Sequence, residues 1–186
     1  PPRPIIFTGS SSIRMWERLA EDFPDQPVIN RGFGGCEMQD VVFYANRIIL
    51  PYHPRMVVIY AGDNDLANGK TPEIVLADCE ALVKRIHESD AKVRIGFILV
   101  KPSPSRWHLE TAIRQLNQMI KEFCSRNETL FYVDVFKPML DVKGMPKKEL
   151  FLEDQLHMNL EGYRLWRDLV SPFLEDGMRS GEPGDG

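Results

Sequence analysis

Four short polar segments carry residue types that together suit acyl transfer. The first is Gly9-Ser10-Ser11-Ser12. A serine at a strand-to-helix turn holds its hydroxyl at the sheet edge, beside a helix N-terminus whose partial positive charge favours developing anions. The same serines also suit helix N-caps, and the run alone fits either role. It does not fit a phosphate loop, because neither G-x-x-x-x-G-K-[ST] nor G-x-G-x-x-G is present. The second segment, Asn30-Arg31-Gly32-Phe33-Gly34-Gly35-Cys36, contains glycines that permit positive φ. They can present backbone N–H groups to an anion, or simply turn the chain. In the third, Gly62-Asp63-Asn64-Asp65, an asparagine can donate its side-chain N–H into the same cleft, although Asx-rich loops also serve as plain turns. The fourth, Asp154-Gln155-Leu156-His157, sets a carboxylate three residues before a histidine. That spacing can hold the imidazole in one tautomer and stabilise its protonated form.

The other reactive side chains read as structural. His53 lies in a proline-flanked loop, and His87 and His108 lie near helix ends. Cys79 and Cys124 fall on apolar faces, as core thiols do, whereas Cys36 sits in the glycine turn. The odd count of three cysteines argues against an oxidised framework, and no Cys or His pair has zinc-site spacing. A charge of −4 without a basic stripe excludes duplex nucleic acid as the natural partner. Apolar runs such as Ile95 to Val100 fall far short of the ~20 residues that span a bilayer, so no integral membrane association is expected. The chain opens at Pro1 rather than Met and shows no signal-peptide pattern. We therefore expect a trimmed upstream segment, with the compartment open between cytoplasm and export, and homo-oligomerisation equally open.

The elements that must position these residues follow from periodicity. At 186 residues the chain suits one domain, and a domain of this size buries roughly 70% of its extended surface, enough for a core without staples. Runs at Ile5–Thr8, Pro27–Asn30, Met56–Ala61, Val93–Val100 and Leu130–Val135 read as strands covered on both faces. Between them, Met38, Val41, Val42, Ala45, Ile48 and Ile49 make one helical stripe. Thr71-Pro72-Glu73 opens another helix as N-cap, first-turn proline and first-turn acid. That helix continues through Val75, Cys79, Leu82, Val83 and Ile86. Leu109 to Phe123 makes a further stripe, and a helix through Trp16, Leu19, Ala20 and Phe23 follows the serine turn. A last helix through Trp166, Leu169 and Val170 should break or kink at Pro172. Alternating β and α units imply a three-layer α/β/α sandwich on a parallel five-stranded sheet over residues 4–174, with a disordered tail at 175–186. Ligands in such sheets bind beyond the carboxyl ends of the strands, where the first three polar segments lie.

Taken in this order, the segments resemble the four blocks of the SGNH, or GDSL-type, hydrolases, and the resemblance runs from Ile5 to about Trp166. It implies a flavodoxin-like fold, Ser11 as nucleophile, and Asp154 and His157 as acid and base. It further implies an oxyanion hole built from the N–H groups of Ser11 and Gly35 and the side chain of Asn64. No metal or organic cofactor is needed for that chemistry. The wording Asn-Arg-Gly-Phe-Gly-Gly is similar to the branch of platelet-activating-factor acetylhydrolase subunits and lysophospholipase-like esterases. One position departs from the pattern: Ser10 stands where the family has the aspartate of its GDS motif. An α/β-hydrolase is disfavoured, because Ile13 occupies the last glycine position of G-x-S-x-G.

The expected substrate is a small-molecule ester with a short acyl chain, since no amphipathic lid or long apolar insertion is present. Phe33, Arg106 and Trp107 are the side chains expected to contact it, the last two from a proline-stiffened loop at Lys101–Trp107. Carbohydrate O-acetyl esterase and lysophospholipase-type activity are the alternatives. A catalytically inactive α/β binding module is the rival from another class.

Overall fold

All five apolar runs pair side by side in the computed structural model, which describes residues 3–175. The strands are β1 (Ile5–Gly9), β2 (Val28–Gly32), β3 (Met56–Tyr60), β4 (Arg94–Ile98) and β5 (Leu130–Val133). They are parallel throughout, in the order β2-β1-β3-β4-β5. Successive side chains of a strand point to opposite faces, and the central strands β1, β3 and β4 are covered on both, so they read as apolar runs, whereas the edge strand β2 is only partly buried. Ile6, Val57, Ile59, Ile95 and Phe97 belong to one core. They meet α3 (Met38–Ile48), the short α4 (Asp63–Ala67), α5 (Pro72–Ser89) and α6 (Glu110–Cys124). Ile5, Phe7, Met56, Val58, Tyr60 and Ile98 belong to the other, beneath α1 (Ser11–Arg14), α2 (Leu19–Asp22) and α7 (Leu160–Leu174). The arrangement is the expected three-layer α/β/α sandwich.

The helix starts follow local chemistry. Thr71 caps α5 by accepting the Ile74 N–H on its side chain, and Pro72 fills the first position, where a missing N–H costs nothing. At the start of α3, the Asp40 carboxylate accepts the Glu37 N–H at 2.8 Å.

Two expectations about helices need correction. The stretch after β1 is two short helices, α1 and α2, rather than one. The Ile13 carbonyl, which a continuing helix would use, instead accepts the Asn30 side-chain N–H at 2.7 Å and the Trp16 N–H at 3.0 Å. Trp16, Leu19 and Phe23 are still buried, with Trp16 edge-on to Phe7 and to Trp166. At the other end, α7 runs through Pro172 without breaking. The proline lies in the last turn, which tertiary contacts hold in place. Leu174 is buried, Phe173 stacks on Phe131 at 5.2 Å, and Arg94 donates to the Phe173 carbonyl. The tail expected at 175–186 lies, apart from Glu175, outside the described residues. No helix among the described residues is long and apolar enough to cross a membrane.

Candidate active site

The order of strands puts the switch in connection direction between β1 and β3, where a crevice opens beyond their carboxyl ends. Ser11 follows β1 and Asn64 follows β3, so topology alone brings them to this crevice.

The serine turn is fixed mainly by backbone bonds. Gly9 has φ +124°, and a Cβ there would stand 1.9 Å from the Tyr60 carbonyl oxygen, so only glycine lets β1 end so close to β3. Ser10 donates its N–H to that carbonyl at 2.9 Å, and its own carbonyl accepts the N–H groups of Ile13 and Arg14. Ser10 occupies the N-cap position of α1, but its hydroxyl makes no cap bond. The buried Tyr163 hydroxyl donates to the Ser12 carbonyl at 2.8 Å, tying the turn to α7. Ser11 is left with its hydroxyl 3.0 Å from Nε2 of His157.

His157 and Asp154 share a turn closed on itself. Phe151 and Met158 bridge antiparallel, and Leu152 donates its N–H to the His157 carbonyl at 2.8 Å. Gln155 adopts the left-handed region, φ 54°, to make the reversal. Asp154 Oδ1 accepts the backbone N–H groups of Leu156 and His157, while Oδ2 lies 2.5 Å from Nδ1 of His157. Partial desolvation pushes the Asp154 carboxyl up, but the hydrogen bonds from the imidazole and both backbone amides outweigh it, holding the group at about 2. Asp154, His157 and Ser11 thus form one continuous hydrogen-bonded chain, joined through the two ring nitrogens of His157.

Across the crevice, Gly35 sits in the glycine turn with φ +72° and open space where a Cβ would stand. Next to it, the Cys36 carbonyl accepts from Asn64 Nδ2 at 3.0 Å, so the second and third polar segments are joined directly. The buried Asp65 reinforces the junction, its carboxylate accepting the Met38 N–H at the start of α3. Burial above all, then Asp40, Asp65 and Glu37, pushes the Cys36 thiol up to about 12, so it is an inert packing group.

The side chains singled out in the loop after β4 make contacts that their types alone did not reveal. Arg106 Nη1 donates to Asp63 Oδ1 at 2.7 Å and to Asn64 Oδ1 at 3.0 Å. Trp107 lies near-parallel to Phe136, with ring centroids 6.3 Å apart. Phe33, at the glycine turn, packs edge-on against Tyr44. Beneath them lies an ion pair that sequence reasoning missed. The fully buried Lys101 donates to Asp63 Oδ2 at 3.2 Å and sits over the Tyr60 ring. Burial works against the Asp63 charge, yet Lys101 and Arg106 together hold its carboxyl below the usual range. One signal was available: Asp63 and Lys101 both follow the carboxyl ends of paired neighbouring strands.

The family model for the GDSL-like lipase/acylhydrolase family matches residues 7–165. The chain belongs to this family. It is a carboxylic ester hydrolase, in keeping with the SGNH resemblance and the five-stranded α/β architecture. Among solved structures, a Streptococcus pneumonia protein described as a candidate platelet activating factor superposes with TM-score 0.83 at 21% identity, covering 94% of this chain and 85% of that one. A GDSL-like lipase from Bacteroides thetaiotaomicron gives 0.80 at 21%, over 92% and 87%. The lipase/acylhydrolase from Enterococcus faecalis gives 0.74 at 24%, over 95% and 99%. At these identities the likeness is one of fold. No curated protein matches the sequence.

Proposed function

We propose that this hydrolase is a serine esterase that cleaves short-chain carboxylic esters through an acyl-enzyme on Ser11. The observation carrying the proposal is the unbroken chain from Asp154 Oδ2 through both imidazole nitrogens to Ser11 Oγ, at 2.5 and 3.0 Å. His157 Nε2 takes the hydroxyl proton as Oγ attacks the ester carbonyl. The proton then passes to the departing alcohol as the tetrahedral intermediate collapses. Water repeats the cycle on the acyl-enzyme, releasing the acid and restoring the serine. The oxyanion is held by the N–H groups of Ser11 and Gly35 and by the Asn64 amide. A fluorophosphonate probe tests the proposal directly. It should label the wild-type protein on Ser11, and an unlabelled, well-folded protein would point to the inactive binding module instead.

Asn64→Ala should lower kcat by roughly 10²–10³ with KM little changed, because an oxyanion donor acts mainly in the transition state. Steady-state kinetics read beside a melting curve separate this from a purely structural role. A fall in melting temperature in step with activity would assign Asn64 to the loop's shape, and a stable variant with normal kcat would remove it from the oxyanion hole.

The short-chain preference is supported by what surrounds the site. Beside the acid–base turn is a hollow of about 520 Å³ lined by Pro104, Ser105, Lys148 and Gln155, which lies wide open to solvent rather than closing into a tunnel. Each CH₂ buried in an acyl tunnel would gain about 0.8 kcal/mol, so a tunnel enzyme would strongly favour octanoyl over acetyl esters. With p-nitrophenyl esters below their micelle-forming concentrations, kcat/KM should be highest from acetyl to butanoyl. A steady rise through octanoyl would favour lysophospholipase-type activity, with exposed Leu152, in the same turn as His157, as the first apolar surface such a chain would meet. Acetylated sugars run in the same panel test the carbohydrate O-acetyl esterase alternative.

A further inference from the structure

An asparagine amide is useful to an oxyanion only in one of its two orientations. Turned correctly it offers N–H, and flipped by 180° about its terminal bond it offers a carbonyl oxygen that repels the developing charge. Here both ends of the Asn64 amide are held by groups that tolerate a single orientation. Arg106 can only donate, and its Nη1 stands 3.0 Å from Oδ1. The Cys36 carbonyl can only accept, and it stands 3.0 Å from Nδ2. A flipped amide would set NH₂ against guanidinium and oxygen against oxygen, losing both bonds at once. The Cys36 bond uses one hydrogen of Nδ2, which leaves the second for the oxyanion on the reading proposed above.

Arg106 is itself anchored from behind. Its Nη1 also reaches Asp63 Oδ1 at 2.7 Å, and the other Asp63 oxygen is taken by buried Lys101 at 3.2 Å. A carboxylate this deeply buried between two cations stays ionised, so it gives the guanidinium a fixed charge to lock onto. The guanidinium in turn draws electron density towards Oδ1 and makes the Nδ2 hydrogens better donors.

We propose that Arg106 is a positioning residue for ester hydrolysis, a latch that sets the Asn64 amide with its N–H groups towards the oxyanion. The proposal rests on the reading of Asn64 as an oxyanion donor, and a double-mutant cycle tells the two apart. Arg106→Ala should lower kcat by roughly 10–50-fold with KM changed less than about threefold. The loss should stay below that of Asn64→Ala, since the Cys36 carbonyl still favours the productive orientation of the amide when Arg106 is gone. Arg106→Lys, which can donate but not accept, should recover part of the loss. Arg106→Gln, which presents either a donor or an acceptor, should recover less. In an Asn64→Ala background, Arg106→Ala should cost less than about a further twofold. If Asn64→Ala alone leaves kcat unchanged, the oxyanion reading fails and the latch falls with it. If Asn64→Ala is slow but Arg106→Ala is normal, or costs as much in both backgrounds, only the latch is overturned. A raised KM at constant kcat would likewise overturn it, making Arg106 a substrate contact. Should Arg106→Ala fail to fold, the Lys and Gln variants decide by their order: Gln equal to or better than Lys refutes the latch.

Discussion

Ser11→Ala should abolish ester hydrolysis, lowering kcat by roughly 10⁴–10⁶ while leaving the melting temperature within a few degrees of wild type. The hydroxyl of Ser11 bonds to Nε2 of His157, and the variant removes this contact without touching the turn's backbone ties. Ser11 shares in those ties only through its carbonyl, which accepts the Met15 N–H and survives in alanine, and the rest belong to its neighbours. Ser10 contributes its N–H to Tyr60 and its carbonyl to Ile13 and Arg14, and Ser12 contributes its carbonyl to Tyr163. All survive substitution by alanine, so Ser10→Ala and Ser12→Ala should keep most of the activity. Turnover of p-nitrophenyl acetate and fluorophosphonate labelling, run on the three variants together, check the assignment. Activity kept by Ser11→Ala and lost in a neighbour would move the nucleophile.

Asp154→Asn should lower kcat by roughly 10³–10⁴, the second largest effect expected. An asparagine oxygen can still accept the N–H groups of Leu156 and His157, so the turn keeps its shape. What disappears is the charge facing Nδ1, and with it the preference for the tautomer whose Nε2 accepts from serine. The pH dependence follows from the depressed carboxyl. Its folded value of about 2 lies below the ordinary 3.8, so its stabilising contribution is present above the unfolded value and is lost as pH falls through about 2. The side chain is 48% exposed, so solvent screens that contribution and the melting temperature should hardly respond. Activity, by contrast, should show no loss attributable to Asp154 until pH approaches about 2. A variant with normal kcat would show that His157 is oriented by something else.

The elements were legible because their causes are local. A strand buried on both faces must be apolar at almost every position, and a surface helix must repeat its apolar residues every three or four, so the central strands β1, β3 and β4 and the stripes of α3, α5 and α6 could be read directly. The split between α1 and α2 was not legible, because it depends on Asn30, a residue of a different strand, claiming the Ile13 carbonyl. Pro172 misled for a similar reason: its local preference is overridden by Phe131, Arg94 and burial of Leu174. The buried Lys101–Asp63 pair was hidden deepest. A lysine followed by Pro-Ser-Pro reads as exposed loop, and only the neighbouring strand's aspartate gives its charge a reason to turn inward.

The proposed machinery is split unevenly along the chain. Ser11, Gly35 and Asn64 all precede α5, whereas Asp154 and His157 come together on one turn just before the last helix. Acid and base therefore arrive as a preassembled unit, and the contact between His157 and Ser11 is the seam where the early and late parts of the chain meet. A growing polypeptide carries the serine through most of its synthesis with no base to activate it. The same holds for a chain clipped between α6 and α7 that loses its C-terminal piece. Acyl transfer on this reading begins only when α7 docks, its Tyr163 hydroxyl closing on the Ser12 carbonyl and drawing the late turn against the early one.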